Sequence, residues 1–478
     1  MLRGDKDINS LEEIKKDFNS DRFDLEKLTG IFKAVKLTNS FSELSHFKQY
    51  GFSFQFVFSL LILMVVTANK TVLSSLTYLN EHGIFIGKDV FYRLKNNENI
   101  RWRQILWHIC LKFLKVTEAN NTSTETKPRY LIFDDTTVEK SGKKMEFLGR
   151  VWDHVKQRSV LGFKILVMLY WDGKSSIPLD FSIHREKGKC EDRPFGMSNK
   201  ELRRQFSKKR VKESESIGRI KELDTNKISM MLKMFHSAVY RCLKIDYVLV
   251  DSWFTCEALI KAVIRHSVHL IGGYRIAKTK FSYQGKLMNY SQINSHTGKP
   301  VRCRKLKLYY KRADVIYGDV RLTLFFSRRG KRGNWKVFLT TDTNLSFTKL
   351  IEHYQVRWSI EVFNKEAKGL LNLGGCQSSN FDAQIADTTI SMIAYIMLSF
   401  RFRYDNYESK GALYRSMNAE CLRMTLDRRL WELFVATIRI IAETFEIDAD
   451  DLLKKVLTNP KAEFLLNLYD QSCLKEAS

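Results

Sequence analysis

Between residues 129 and 342 the chain alternates short apolar runs with amphipathic stretches. RYLIFD (129–134), VLGFKILVMLYW (160–171), IPLDFSIH (177–184), DYVLVD (246–251), HLIGGY (269–274) and VFLTTD (337–342) have the length and β-branched or aromatic content of buried strands. Asp172-Gly173, between the second and third runs, is a turn dipeptide and predicts a hairpin. Residues 226–243 and 255–266 carry helical periodicity. Three early strands followed by alternating helices and strands predict an α/β core. One long helix is predicted from Phe347 to Leu373, with further helices over 383–404 and 430–470.

Residues 1–125 read as helical, with breaks at Asn-Ser, Gly and Asn-Glu. Within them, 72–97 predicts two helices around a turn at His82-Gly83, the second ending in Arg93 and Lys95, which is similar to a helix-turn-helix and equally to any helical hairpin. The apolar run Phe52–Val66 is short for a membrane span and contains Gln55, so a buried helix is expected. The first residues lack the early apolar stretch of a signal peptide. The small polar run Asn120–Lys127 is the expected domain boundary.

Charge changes this picture. The 478 residues carry 79 Lys and Arg against 53 Asp and Glu, a net of +26. That length suggests two to four structural units, and that balance suits a polyanionic partner, because Lys and Arg release counterions from phosphates. An anionic membrane surface competes as partner, but the charge is spread over several segments of an aromatic-rich chain, which favours nucleic acid. Residues 275–336 hold 17 basic against 2 acidic side chains and read as short strands and turns interrupting the core. Residues 185–221, with 13 against 6, read as a mobile basic loop. The 8 cysteines show no Cys-x-x-Cys spacing, so reduced thiols are expected and a zinc site is not.

Two apolar runs end in acid in the same manner, at Asp134 and Asp251. If their strands are neighbours, the two carboxylates converge, and hard divalent cations take such oxygen ligands. Asp135 is an alternative to Asp134. Strand ends also carry Asp simply as a turn former. In HYQVRWSIEVFNKEAKGL, Tyr354, Arg357, Glu361 and Lys368 fall at spacings of three, four and seven, on one helical face. Trp358, Ile360, Val362 and Phe363 make the other sides apolar, so this helix is expected to pack into a core. His353, His154 and His184 read as structural.

The pattern Tyr354-x2-Arg357-x3-Glu361-x6-Lys368 resembles the signature of the bacterial insertion-sequence-4-like transposases. Asp134-Asp135-Thr136-Thr137 and Asp251-Ser252-Trp253-Phe254 resemble the contexts of that family's first and second acids. The likeness runs over roughly 129–400. It implies a ribonuclease-H-like catalytic core with a β-rich insertion, flanked by helical N- and C-terminal regions. The expected division is 1–125, helical and binding the DNA end; 126–404, the core, interrupted by 275–336; and 405–478, helical and contributing to a dimer.

The resemblance further implies a DNA transposase that cuts at element ends and joins them to target DNA, by cut-and-paste through a hairpin. Asp134, Asp251 and Glu361 would be catalytic and would hold two Mg2+ ions, with Mn2+ as substitute. Tyr354, Arg357 and Lys368 would contact double-stranded DNA. Trp335 would stack on a flipped base, unless it is an ordinary core residue of its strand. A homodimer on DNA, no membrane, and a bacterial cytoplasmic, nucleoid-associated location are expected. The competing readings are a nuclease of the same core without strand transfer and a DNA-binding relative without activity.

Overall fold

The computed structural model describes residues 51–66, 71–81, 85–119, 127–276, 278–404 and 408–418, and scattered positions between 437 and 461. The N-terminal residues 1–50, the turn at His82-Gly83, positions 120–126 and most of 405–478, on which expectations were placed, lie outside the described residues.

The apolar runs form strands: β1 (Tyr130–Glu139), β2 (Gly149–Asp153), β3 (Arg158–Trp171), β4 (Ser176–His184), β5 (Tyr247–Val250), β6 (His269–Gly273), β7 (Lys280–Tyr283), β8 (Lys286–Asn289), β9 (Val301–Cys303), β10 (Leu308–Tyr317), β11 (Val320–Arg328) and β12 (Lys336–Thr340). Residues 162–170 of β3 are all buried, which explains why that run is apolar without alternation: both faces of the sheet are covered there. The expected hairpin joins β3 to β4. Asp172 accepts bonds from Lys174 N (2.9 Å) and Ser175 N (2.7 Å), and Gly173 takes the positive φ of 100° that the turn requires.

All strands belong to one sheet in the order β2-β3-β1-β5-β6-β12-β11-β10-β7-β8, with β4 also on β3 and β9 on β10. β1, β5 and β6 are parallel; β3 is antiparallel to β1, and β4 to β3. The basic segment therefore does more than interrupt the core. Its strands β11 and β10 continue the sheet outward from β12.

The helices are α1 (Phe54–Val66), α2 (Val72–Glu81), α3 (Lys88–Lys95), α4 (Trp102–Ala119), α5 (Asn199–Arg203), α6 (Glu215–Glu222), α7 (Lys227–Tyr240), α8 (Glu257–Arg265), α9 (Tyr290–His296), α10 (Phe347–Gln355), α11 (Trp358–Gly369), α12 (Phe381–Tyr404) and α13 (Ala449–Leu457). α1 buries Phe54, Val57, Phe58 and most of its other residues, as expected of the apolar run. It packs with α4 on α12, so the N-terminal helices share one hydrophobic core with the sheet. Among the described residues one helix, α12, is long and apolar enough to cross a membrane, and 89% of its apolar window is buried inside the protein.

Two expectations are corrected. The single helix over 347–373 is two helices, α10 and α11. At the junction the backbone bonds tighten to i→i−3, from Arg357 N to Tyr354 O and from Ser359 N to Val356 O, and the Ser359 hydroxyl also donates to the Val356 carbonyl. A hydroxyl competing for a helix carbonyl is a local reason for the break. Residues 185–221 are not a free basic loop. Arg210 pairs with Glu146 (2.6 Å) and Asp382 (3.0 Å), all three at most 3% exposed, and Lys208 pairs with Glu98 and Asp382.

Candidate active site

Parallel pairing aligns Phe133 with Val250, so the next residues stand side by side: Asp251 just past the carboxyl end of β5, and Asp134 within β1, which runs on to Glu139 and does not end at the acid as expected. Crevices at such strand ends are where open α/β sheets bind ligands. Alternation along β1 sends Asp134 and Asp135 to opposite faces. Asp134 meets Arg357, with Nη1 3.7 Å from Oδ2. Asp135 meets the ammonium groups of Lys227 and, at 3.7 Å, Lys164. Asp251 is held by its own loop: Oδ1 accepts from Trp253 N (2.8 Å) and Phe254 N (3.1 Å).

Glu361 lies in the first turn of α11, where the positive end of the helix favours a carboxylate. Arg357, one residue before that helix, donates from Nη2 to Glu361 Oε1 at 2.5 Å. One guanidinium thus joins the first and third acids. Burial works against its charge, but Tyr354, Glu361 and Asp134 outweigh this and raise its pKa. Asp134 is pushed up to about 7, first by burial and then by the charges of Asp251 and Asp135, with Arg357 pulling the other way.

The remaining residues of the helical stripe divide. Tyr354, half-buried against Phe338 of β12, has its phenol held above the ordinary value by burial. Lys368 donates to the Thr137 carbonyl of β1 at 2.7 Å. The expectation that Trp358 and Val362 are packed is corrected: they are 62% and 38% exposed, while Ile360, Phe363 and Ala367 fill the core. Apolar residues stand on both sides of the polar stripe, so the sequence did not show that Trp358, three residues before Glu361, faces outward. Trp335 is half-buried just before β12, with the Arg328 guanidinium 4.3 Å and the Lys311 ammonium 5.4 Å from its ring centre. β12 runs antiparallel to β6, with Phe338 opposite Gly273, so Trp335 is at the acid-bearing end of the sheet.

The three histidines are bonded within the fold: His353 to the Tyr130 hydroxyl, His184 to Ser182 and the Thr225 carbonyl, and the His154 carbonyl to Gln157. Among the described residues no group of three or more His, Cys, Asp or Glu is arranged to hold a metal ion. Asp134 and Asp251 do fit a divalent cation. They are two oxygen donors brought together, one of them partly buried and raised by its neighbour, and a cation would relieve that repulsion. Glu361 stands apart from them across Arg357.

Residues 221–397 match the family model described as the transposase DDE domain. The match supports a transposase of the DDE type and, with it, DNA as substrate. It takes in Asp251, Glu361 and the whole helical stripe; Asp134 precedes it. No curated protein matches the chain.

Proposed function

We propose that this chain is a cut-and-paste DNA transposase whose carboxylate set is Asp134, Asp251 and Glu361. One observation carries the reading: Asp134 and Asp251, 117 residues apart in sequence, lie side by side where the pairing of β1 with β5 ends, and the Arg357 guanidinium links Asp134 to Glu361. The strand order β4-β3-β1-β5-β6, with only β1, β5 and β6 parallel, supports a ribonuclease-H-like core. Asp134 is preferred to Asp135 as ligand, since Asp135 is neutralised by two lysines on the other face.

Asp134 and Asp251, joined by Glu361, would hold Mg2+. Divalent cations at such a site lower the pKa of water and stabilise the attacking and leaving oxygens of a phosphodiester. The protein's own groups supply the rest. Partial burial of Asp134 and Tyr354 makes the surroundings of the acid pair less polar than bulk water. Lys368, at the end of the stripe, offers its ammonium beside β1 to a phosphate. The Arg357 guanidinium becomes available to a second phosphate once the carboxylates are otherwise neutralised. End cleavage, hairpin formation and target joining are each an in-line displacement at phosphorus, so one site serves all. A dimer on DNA would bring the two element ends together.

The test uses the full chain, DNA carrying the element ends, and Mg2+. Glu361→Gln and Asp251→Asn should shift that DNA in gels as the wild type does, while cleavage falls at least about 100-fold, the scale of removing one transition-state charge partner. Asp134→Asn should behave likewise and Asp135→Asn should keep cleaving. Near wild-type cleavage by Glu361→Gln would overturn the assignment.

A further inference from the structure

The loop from β5 to α8 carries an aromatic side chain that neither the fold nor the carboxylate set accounts for. Asp251 Oδ1 accepts the amides of Trp253 and Phe254, and Thr255 Oγ1 donates to the Asp251 carbonyl at 2.9 Å. The same loop is pressed onto the end of β6. A Cβ on Gly272 would lie 2.2 Å from Thr255 Oγ1, and one on Gly273 would lie 3.1 Å from Ser252 N, so glycine is needed there for the loop to close. Phe254 and Thr255 are buried by this arrangement.

Trp253, between these anchors, is 55% exposed. Phe254 braces it at 79° with ring centres 4.7 Å apart. The Lys227 ammonium lies 5.0 Å from the indole centre. A large aromatic ring on a loop this tightly bonded is held out to solvent at the edge of the acid pair, and forgoes the burial that such rings normally gain.

We propose that Trp253 is a stacking platform for an unpaired nucleobase of the DNA substrate, beside the second carboxylate. The inference rests on the transposase reading and deepens it. An exposed indole offers an unpaired base a π face to stack on, and the adjacent Lys227 ammonium is held in place by Asp135. Bases inside a duplex are stacked on one another and cannot use such a platform, so the residue selects a frayed or single-stranded end. The site's position at the strand ends and the net charge of +26 favour a nucleic acid over a protein as the occupant. Trp253 acts as a positioning residue, seating the strand whose phosphodiester lies over Asp134 and Asp251.

The experiment measures fluorescence anisotropy of two labelled duplexes of the same sequence, one blunt and one with a three-nucleotide single-stranded tail containing 2-aminopurine. The wild type should bind the tailed duplex more tightly and quench its 2-aminopurine. Trp253→Ala should lose about tenfold in affinity for the tailed duplex, the scale of one base–aromatic stack, and change less than about twofold on the blunt one. Trp253→Phe should restore most of the preference and the quenching, which a merely structural role would not require. Equal binding of both duplexes by Trp253→Ala and wild type, or an equal loss on both, overturns the platform and leaves the transposase reading standing. Failure of the wild type to bind either duplex overturns both.

Discussion

Asp134 combines the two effects that raise a carboxyl pKa, burial and a neighbouring like charge, and Arg357 only partly offsets them. The consequence for stability has a definite sign. Its folded-state value, about 7, lies above the ordinary 3.8, so the folded protein holds this proton more tightly than the unfolded chain does. The group therefore costs nothing below the ordinary value. Stability is lost as pH rises from about 4 to about 7, and the loss is constant above that. Asp134→Asn removes the titration. In chelator, its melting temperature should match the wild type near pH 4 and exceed it at pH 8, by thermal denaturation. A difference independent of pH would mean that Asp134 ionises as an ordinary carboxylate. The candidate acids stand out in sequence, because an apolar run ending in Asp and a helix stripe of Tyr, Arg, Glu and Lys are local patterns. Which of Asp134 and Asp135 faces Arg357 is not legible there, since it depends on how the strand alternates against a helix more than 200 residues away.

At the scale of elements, strands were read more securely than the helices around them. The runs at 129–134, 160–171, 177–184, 246–251 and 269–274 overlap β1, β3, β4, β5 and β6, because buried strands need continuous apolar residues wherever they pair. The α10–α11 break escaped notice, as it turns on one serine hydroxyl meeting one carbonyl. Basic stretches were the hardest to read, because counting charges cannot tell which ones the fold has already neutralised. Arg210 and Lys208 are tied to Glu146, Glu98 and Asp382, whereas Arg329, Lys331 and Arg332, in the turn between β11 and β12, are exposed. The two groups should separate in experiment. Changing Arg329, Lys331 and Arg332 to Ala should make the dependence of DNA affinity on log salt shallower, by about 0.9 for each phosphate the protein no longer neutralises. Arg210→Ala should leave that slope alone and destabilise the protein by about 3–5 kcal/mol, since it strands the buried Glu146 carboxylate and leaves Asp382 with Lys208 alone. An unchanged slope for the triple variant would mean that this turn faces away from DNA.

At the scale of the whole molecule, the segment 275–336 separates into two possibilities that its sequence could not distinguish: a module hung on the core, or part of the core. Strand pairing supports the second, and pairing between segments is not encoded in any local pattern. β12 lies between β6 and β11, and β11 buries Leu322, Leu324, Phe325 and Phe326. The segment also supports the helix pair that carries the stripe. Phe347, which opens α10, stacks on Tyr310 of β10 with ring centres 4.3 Å apart and lies 5.9 Å from Phe325 of β11. Removing the segment is sterically simple, because Tyr274 N already donates to Val337 O at 2.9 Å and a short turn can bridge the gap. The energetic outcome is not neutral. Replacing residues 278–333 by such a turn leaves β12 as an unprotected edge and strips Phe347 of its aromatic partners, and exposed apolar edges promote aggregation. The shortened chain should melt several degrees lower, at about 2–4 °C for each kcal/mol of stability removed, and should aggregate on heating. In the full chain, β5, β6, β12 and β11 should be protected together in hydrogen exchange. If the deletion melted like the full chain while losing only DNA affinity, the segment would be a separable binding module, and α10 would owe its position to the remaining core alone.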